Sequence, residues 1–246
     1  MVVALVIAGA VAAILYLAEN DTAAIVAGVV GFLATVAWEG SKAYRKRGAT
    51  VRDALAERPP RATDADLAEA LHLGSEDPSN GSHPVDDGEL GRNRASIDDL
   101  CNSIVETLQG RATEHYLLVK GEEGPELELA AYQALCAAGQ ALAKQGKTIK
   151  VLVPRVPPSS AKLADFLVLD PFPFYGPAVL WLDHINGYLP PGGSLTPAAL
   201  QEVARLDPPA VVLATIDWRS YDAITDGGGQ AVISAFAPGT VFIRRQ

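Results

Sequence analysis

Four carboxylates crowd one short stretch of the chain: Glu122, Glu123, Glu126 and Glu128, set in Gly121-Glu122-Glu123-Gly124-Pro125-Glu126-Leu127-Glu128. Acids at the start of a helix suit its positive end by a few tenths to about 1 kcal/mol each. Clustered carboxylates are also what hard divalent cations take as ligands. Two further places carry chemical potential: Asp183 and His184 follow the apolar run 178–182, and Thr215 closes another run, 210–215. An aspartate beside a histidine has the composition of an acid–base pair. On an extended strand, however, the two side chains would point to opposite faces, so a structural role is expected for them. Glu126, Glu128 and Asp183 could bring their carboxylates to one sheet edge, but no metal site is expected of them.

Other candidates carry less. Ser159 and Ser160 follow Pro157-Pro158 without a GxSxG elbow, and Gly227-Gly228-Gly229 lacks the strand-to-helix order of a phosphate cradle. His72 and His83 have no partner at ligand spacing, and Cys101 and Cys136 fall on apolar helix faces outside any CxxC pattern. Buried, reduced thiols are expected. Asp217, Trp218, Arg219 and Tyr221 cluster after an apolar run, either as a rim for a partner or as a solvated helix start.

The elements that must position these residues follow from hydrophobic periodicity. Ser96-x-x-Asp99 has the pattern of a capping box, and Ile97, Leu100, Cys101, Ile104, Val105 and Leu108 follow at helical spacing up to Gly110. Apolar strands at 115–120, 149–153, 178–183, 210–215 and 240–243 then alternate with helical stretches at 127–145, 196–206 and 231–236. Continuous apolar strands separated by helices predict an α/β fold, a mainly parallel five-stranded sheet with helices on both faces. Open α/β sheets place ligands at the carboxyl ends of their strands. Gly121, Gly124, Asp183 and Thr215 all belong to that edge.

With those residues in place, 112–244 resembles the P-loop NTPases of the signal-transduction (STAND) and AAA-like groups. A strand leads into the glycine loop at Gly121 and Gly124, a Walker B-like strand ends at Asp183, and a later strand ends at Thr215, where such families place a polar sensor. The resemblance implies a nucleotide site at Gly121, Gly124, Asp183 and Thr215. The departures decide what it does. In G-x-x-x-x-G-K-[ST] the second glycine, the lysine and the hydroxyl hold phosphate and magnesium, and here those places are Glu126, Leu127 and Glu128. A loop of four acids repels a triphosphate. The expectation is a remnant site without cofactor or turnover, and a scaffold or sensor in a signalling assembly. The competing enzyme reading is a hydrolase in which the acidic loop and Asp183 hold a divalent cation.

The rest of the chain frames this domain. Residues 2–18 and 22–38 are two uncharged apolar runs of 17 residues joined by Glu19-Asn20-Asp21, each about 25 Å long as a helix, near the short end of what crosses a bilayer. Lys42, Arg45, Lys46, Arg47 and Arg52 follow them, which predicts both termini in the cytoplasm. The domain plan is a transmembrane hairpin over 1–47, a linker with short helices over 48–95 and the NTPase-like domain over 96–246. A secretory signal is disfavoured, since the first run lacks a basic leader and continues into a second. Ala4, Ala8 and Ala12, Ala24 with Gly28, and Ala27 with Gly31 repeat small residues every four positions, which favours close helix packing or self-association. In a further reading the hairpin is itself the effector, oligomerising to permeabilise a membrane. The mean hydropathy of +0.15 reflects these runs, and the net charge of −9 argues against nucleic acid as a partner. The expected partners are the lipid bilayer and a protein, or a second copy.

Overall fold

The computed structural model describes residues 46, 49–51, 54–55, 60–64, 67–71, 73, 93–154, 166–167, 176–189, 195–225 and 229–243. The chain divides into two units, Met1–Ala49 and Thr50–Gln246, and every element below belongs to the second. Among the described residues no helix is long and apolar enough to cross a membrane. The two expected spans, 2–18 and 22–38, lie outside those residues.

Five strands, β1 (Tyr116–Gly121), β2 (Lys150–Leu152), β3 (Ala178–Leu182), β4 (Ala210–Asp217) and β5 (Thr240–Ile243), form one sheet in the order β2-β3-β4-β1-β5. Each adjacent pair is parallel, as the continuous apolar runs predict. The helices are α1 (Leu67–Ala70), α2 (Arg94–Leu108), α3 (Pro125–Ala143), α4 (Pro197–Ala204), α5 (Trp218–Thr225) and α6 (Gln230–Phe236).

Alternation along the strands sorts the core into two layers. Leu117, Val119, Val179, Trp181, Val211 and Leu213 pack with α2 and α3, while Leu118, Leu180, Leu182, Val212, Ala214 and Ile216 pack with α4 and α6. Helix α3 meets the sheet through Leu127, Ala130, Ala131, Ala134, Leu135, Ala138 and Leu142, a stripe at i, i+3, i+4 spacing whose alanines let the helix approach closely. Each buried leucine of this stripe contributes about 1.5–3 kcal/mol.

Local chemistry sets the helix ends. Thr196 caps α4, its Oγ1 accepting the Ala199 N–H at 3.2 Å, with Pro197 at the first helical position. Helix α2 ends in a Schellman motif: Gly110 at φ +71° lets its N–H reach the Thr107 carbonyl and that of Arg111 reach Glu106. The start of α2 differs from the expected box at Ser96. Its first bond runs from the Ile97 N–H to the Asn93 carbonyl at 2.9 Å, so the helix begins about a turn earlier and Ser96 lies inside it.

The expected linker is also corrected in part. Ala54, Leu55, Ala62, Leu67 and Leu71 are buried, and the Ala62 and Val151 N–H groups bond Ile149 and Pro60 carbonyls at 3.1 and 2.9 Å. Antiparallel bridges Leu55↔Pro154 and Arg61↔Lys150 extend this contact, so the segment covers the outer edge of β2, an edge that would otherwise present free donors and acceptors. Of the tether expected at 75–95, residues 75–92 lie outside the described residues.

The connection from β1 travels over the α3 face to β2, whereas that from β4 travels over the α6 face to β5. Opposite directions on opposite faces keep one crossover hand. The chain therefore parts to opposite sides between neighbours β1 and β4, which is the topological switch point.

Candidate functional site

Gly121, Gly124, Asp183 and Thr215 do gather at the carboxyl edge around this switch point, but they do different work there. Gly121 ends β1 opposite Asp217 and Ile243. A Cβ on it would lie 2.7 Å from the Ile243 carbonyl oxygen and 2.9 Å from Leu127 Cδ1, so glycine is required by packing. Gly124 precedes α3, and the Glu126 carboxylate lies over it where a Cβ would collide. A side-chain carboxylate thus occupies the space beside the loop backbone.

Asp183 and Thr215 meet directly. The Thr215 hydroxyl, 1% exposed on β4, donates to Asp183 Oδ1 at 2.7 Å and accepts the His184 N–H at 2.9 Å. One hydroxyl fixes both residues after β3. Burial pushes the Asp183 carboxyl up; Thr215 pulls it down, Glu128 pushes it up, and His184 pulls it down, with the upward effects prevailing. Nearby Tyr188 is raised to about 12 by burial and by Asp183.

His184 overturns the expectation that it and Asp183 face apart. Strand β3 stops at Leu182, and His184 adopts a left-handed conformation, φ 47° and ψ 68°. Outside the strand the two-residue alternation no longer applies. The imidazole Nε2 lies 3.2 Å from Glu128 Oε1 on α3, and one ligand atom each from Glu128, Asp183 and His184 lies within 4.8 Å of the other two. Glu126 is outside this cluster, so of the three carboxylates that could share one sheet edge only Glu128 and Asp183 converge, and His184 joins them. The hydrogen bond to Glu128 raises the His184 pKa to about 9; burial opposes it, and Asp183, Glu128 and Asp217 add their charges. At neutral pH the imidazole is a cation among three acids.

On the opposite face of β1, Lys120 is buried, 5% exposed. Its Nζ sits 4.0 Å from the Trp218 ring centroid and 3.0 Å from that of Tyr221. Trp218 stacks on Phe242 with centroids 5.7 Å apart and planes 6° from parallel. Burial lowers the Lys120 pKa and Asp222 counters it. Lys120 shares strand parity with Leu118, on the α6 side, whereas the loop leads into α3 on the other side. Lys120 therefore lies on the sheet face away from the loop and α3.

Asp217 lies at a helix start. Its Oδ1 accepts the Ser220 N–H at 2.8 Å; burial pushes its pKa up, but the hydrogen bonds from Ser220 and Arg219 outweigh this and hold it low. Cys101 and Cys136 are free and half-buried. Burial pushes both thiols up, with Asp98 adding to it at Cys101 and Tyr132 opposing it at Cys136, which makes them poor nucleophiles. Ser159, Ser160, Gly227, Gly228, His72 and His83 lie outside the described residues.

No protein-family model matches the chain, and no curated protein matches it. The sequence alone offered a signal for Asp183 and Thr215, each at the end of an apolar run. The Glu128–His184 pairing had none, since Glu128 lies 56 positions away and its partner depends on a turn conformation.

Proposed function

We propose that this protein is a membrane-anchored, NTPase-like module that turns over no nucleotide and works as a signalling scaffold or sensor through protein contacts. The observation that carries the reading is that the chain's own charges gather at the switch point. Glu128 and His184 neutralise one another at 3.2 Å, and the Glu126 carboxylate lies over Gly124. A polyphosphate entering there would have to displace an ion pair and approach uncompensated carboxylates, with no lysine from β1 to offset them. Phosphoryl transfer depends on positive charge placed at the transferring group, and the arrangement supplies the opposite sign.

The anchor in this proposal rests on the apolar runs 2–18 and 22–38 and on the basic residues that follow them. The parallel sheet with its acidic carboxyl edge supports the likeness to NTPase domains in architecture, while the residues at that edge support a loss of turnover. Phosphate release from ATP and GTP by the full chain in lipid vesicles with magnesium tests it. The expected rate equals that of the Asp183→Ala variant; turnover above that variant would refute the proposal.

A further inference from the structure

The Glu128–Asp183–His184 cluster has a geometry that an ion pair alone does not require. Its members come from the first turns of α3 and the turn after β3, so their convergence is tertiary. Thr215 holds Asp183 through Oδ1 and His184 through its N–H, as groups behind metal ligands commonly do. A non-glycine residue seldom adopts the left-handed region. Here that conformation turns the imidazole toward both carboxylates.

From this arrangement we infer that Glu128, Asp183 and His184 form a binding site for a divalent first-row transition-metal ion of the zinc class. Two ligands about 2.1 Å from such an ion at a tetrahedral angle lie ~3.4 Å apart, and Glu128 Oε1 and His184 Nε2 are 3.2 Å apart. The ligand atom of Asp183 lies within 4.8 Å of both, and a small rotation of the half-exposed His184 side chain toward it closes the remaining gap. One imidazole and two carboxylates suit zinc, manganese or iron, whereas magnesium and calcium take oxygen alone. Three protein ligands leave a fourth position open to water or to a partner's side chain. Bound there, the ion would tie α3 to the end of β3.

The site uses side chains that the proposed function also invokes, so its test contains no nucleotide and can fail while the turnover assay holds, or hold while that assay fails. Full-length protein stripped with a chelator is titrated with Zn²⁺ against a chromophoric competitor, and with Co²⁺ followed by its visible d–d absorption. One equivalent is expected, with affinity falling at least about tenfold in His184→Ala and in Asp183→Asn and with the Co²⁺ bands lost in both. His115→Ala, at the amino end of β1 with its Nδ1 2.8 Å from the Ala210 carbonyl, should bind as the parent does. Circular dichroism checks folding, and Glu128→Gln replaces either variant that fails it. Affinity within twofold of the parent in the folded variants, or displacement of Zn²⁺ by equimolar Mg²⁺, would overturn the site.

Discussion

Replacing Gly121 by alanine separates a packing glycine from a phosphate-binding one. The added Cβ would meet the Ile243 carbonyl oxygen at 2.7 Å and Leu127 Cδ1 at 2.9 Å. The Leu127 side chain is itself buried at 1% exposure, and Ile243 is the register partner of Gly121 on β5, so neither neighbour yields without cost. Overpacking of this kind costs about 1–3 kcal/mol. Alanine also narrows the unfolded ensemble, which returns about 0.4–1 kcal/mol. A net loss of about 1–2 kcal/mol follows, or ~2–8 °C in Tm for a domain of this size. Thermal unfolding of the full chain in detergent, followed by tryptophan fluorescence from buried Trp181, reads the change. An unchanged or raised Tm would show that Gly121 is not wedged between β5 and α3, and the packing account of the loop would fail.

Other perturbations probe neighbouring contacts. Gly139→Leu on α3 places a Cβ 2.7 Å from that of Ala62; it should free the 50–73 segment, seen as faster limited proteolysis there while fragments of the sheet persist. Thr215→Val keeps the shape but strands Asp183 and the His184 N–H, costing about 1–3 kcal/mol in urea denaturation; a neutral result would mean water replaces the hydroxyl. The metal-free protein should show His184 titrating near its raised value of about 9, against 6.5 unfolded. Because that pKa is raised in the folded state, the stabilisation is complete below pH 6.5 and lost as pH climbs through about 9. Imidazole NMR titration checks it, with Glu128→Gln moving the midpoint down; a midpoint that ignores Glu128 would contradict the pairing.

Much of the fold was legible because burial on both faces writes itself into strands as unbroken apolar runs. The five expected strands occur within two residues of their limits, and Thr196-Pro197 announced α4 through ordinary capping chemistry. What escaped was carried by the main chain. The 54–62 segment attaches to β2 through backbone N–H and carbonyl groups, which leave no pattern in residue types, and its buried residues Ala54, Leu55 and Ala62 are too few to show periodicity. Ser96 looked like a cap because side-chain chemistry was all that could be read, whereas the ladder starts at Asn93. At the site, Asp183 and Thr215 were found from their strand ends. His184 was misplaced because strand alternation was carried two residues past the end of β3, into a left-handed turn.

The central claim is that charges of the chain itself close the crevice at the end of β1 to nucleotide. Equilibrium dialysis of the full-length protein against labelled ATP and GTP, with and without magnesium, addresses it most directly. The account predicts no saturable binding tighter than ~1 mM, less than about 4 kcal/mol of affinity. A micromolar Kd that weakens tenfold or more in Asp183→Ala would contradict it.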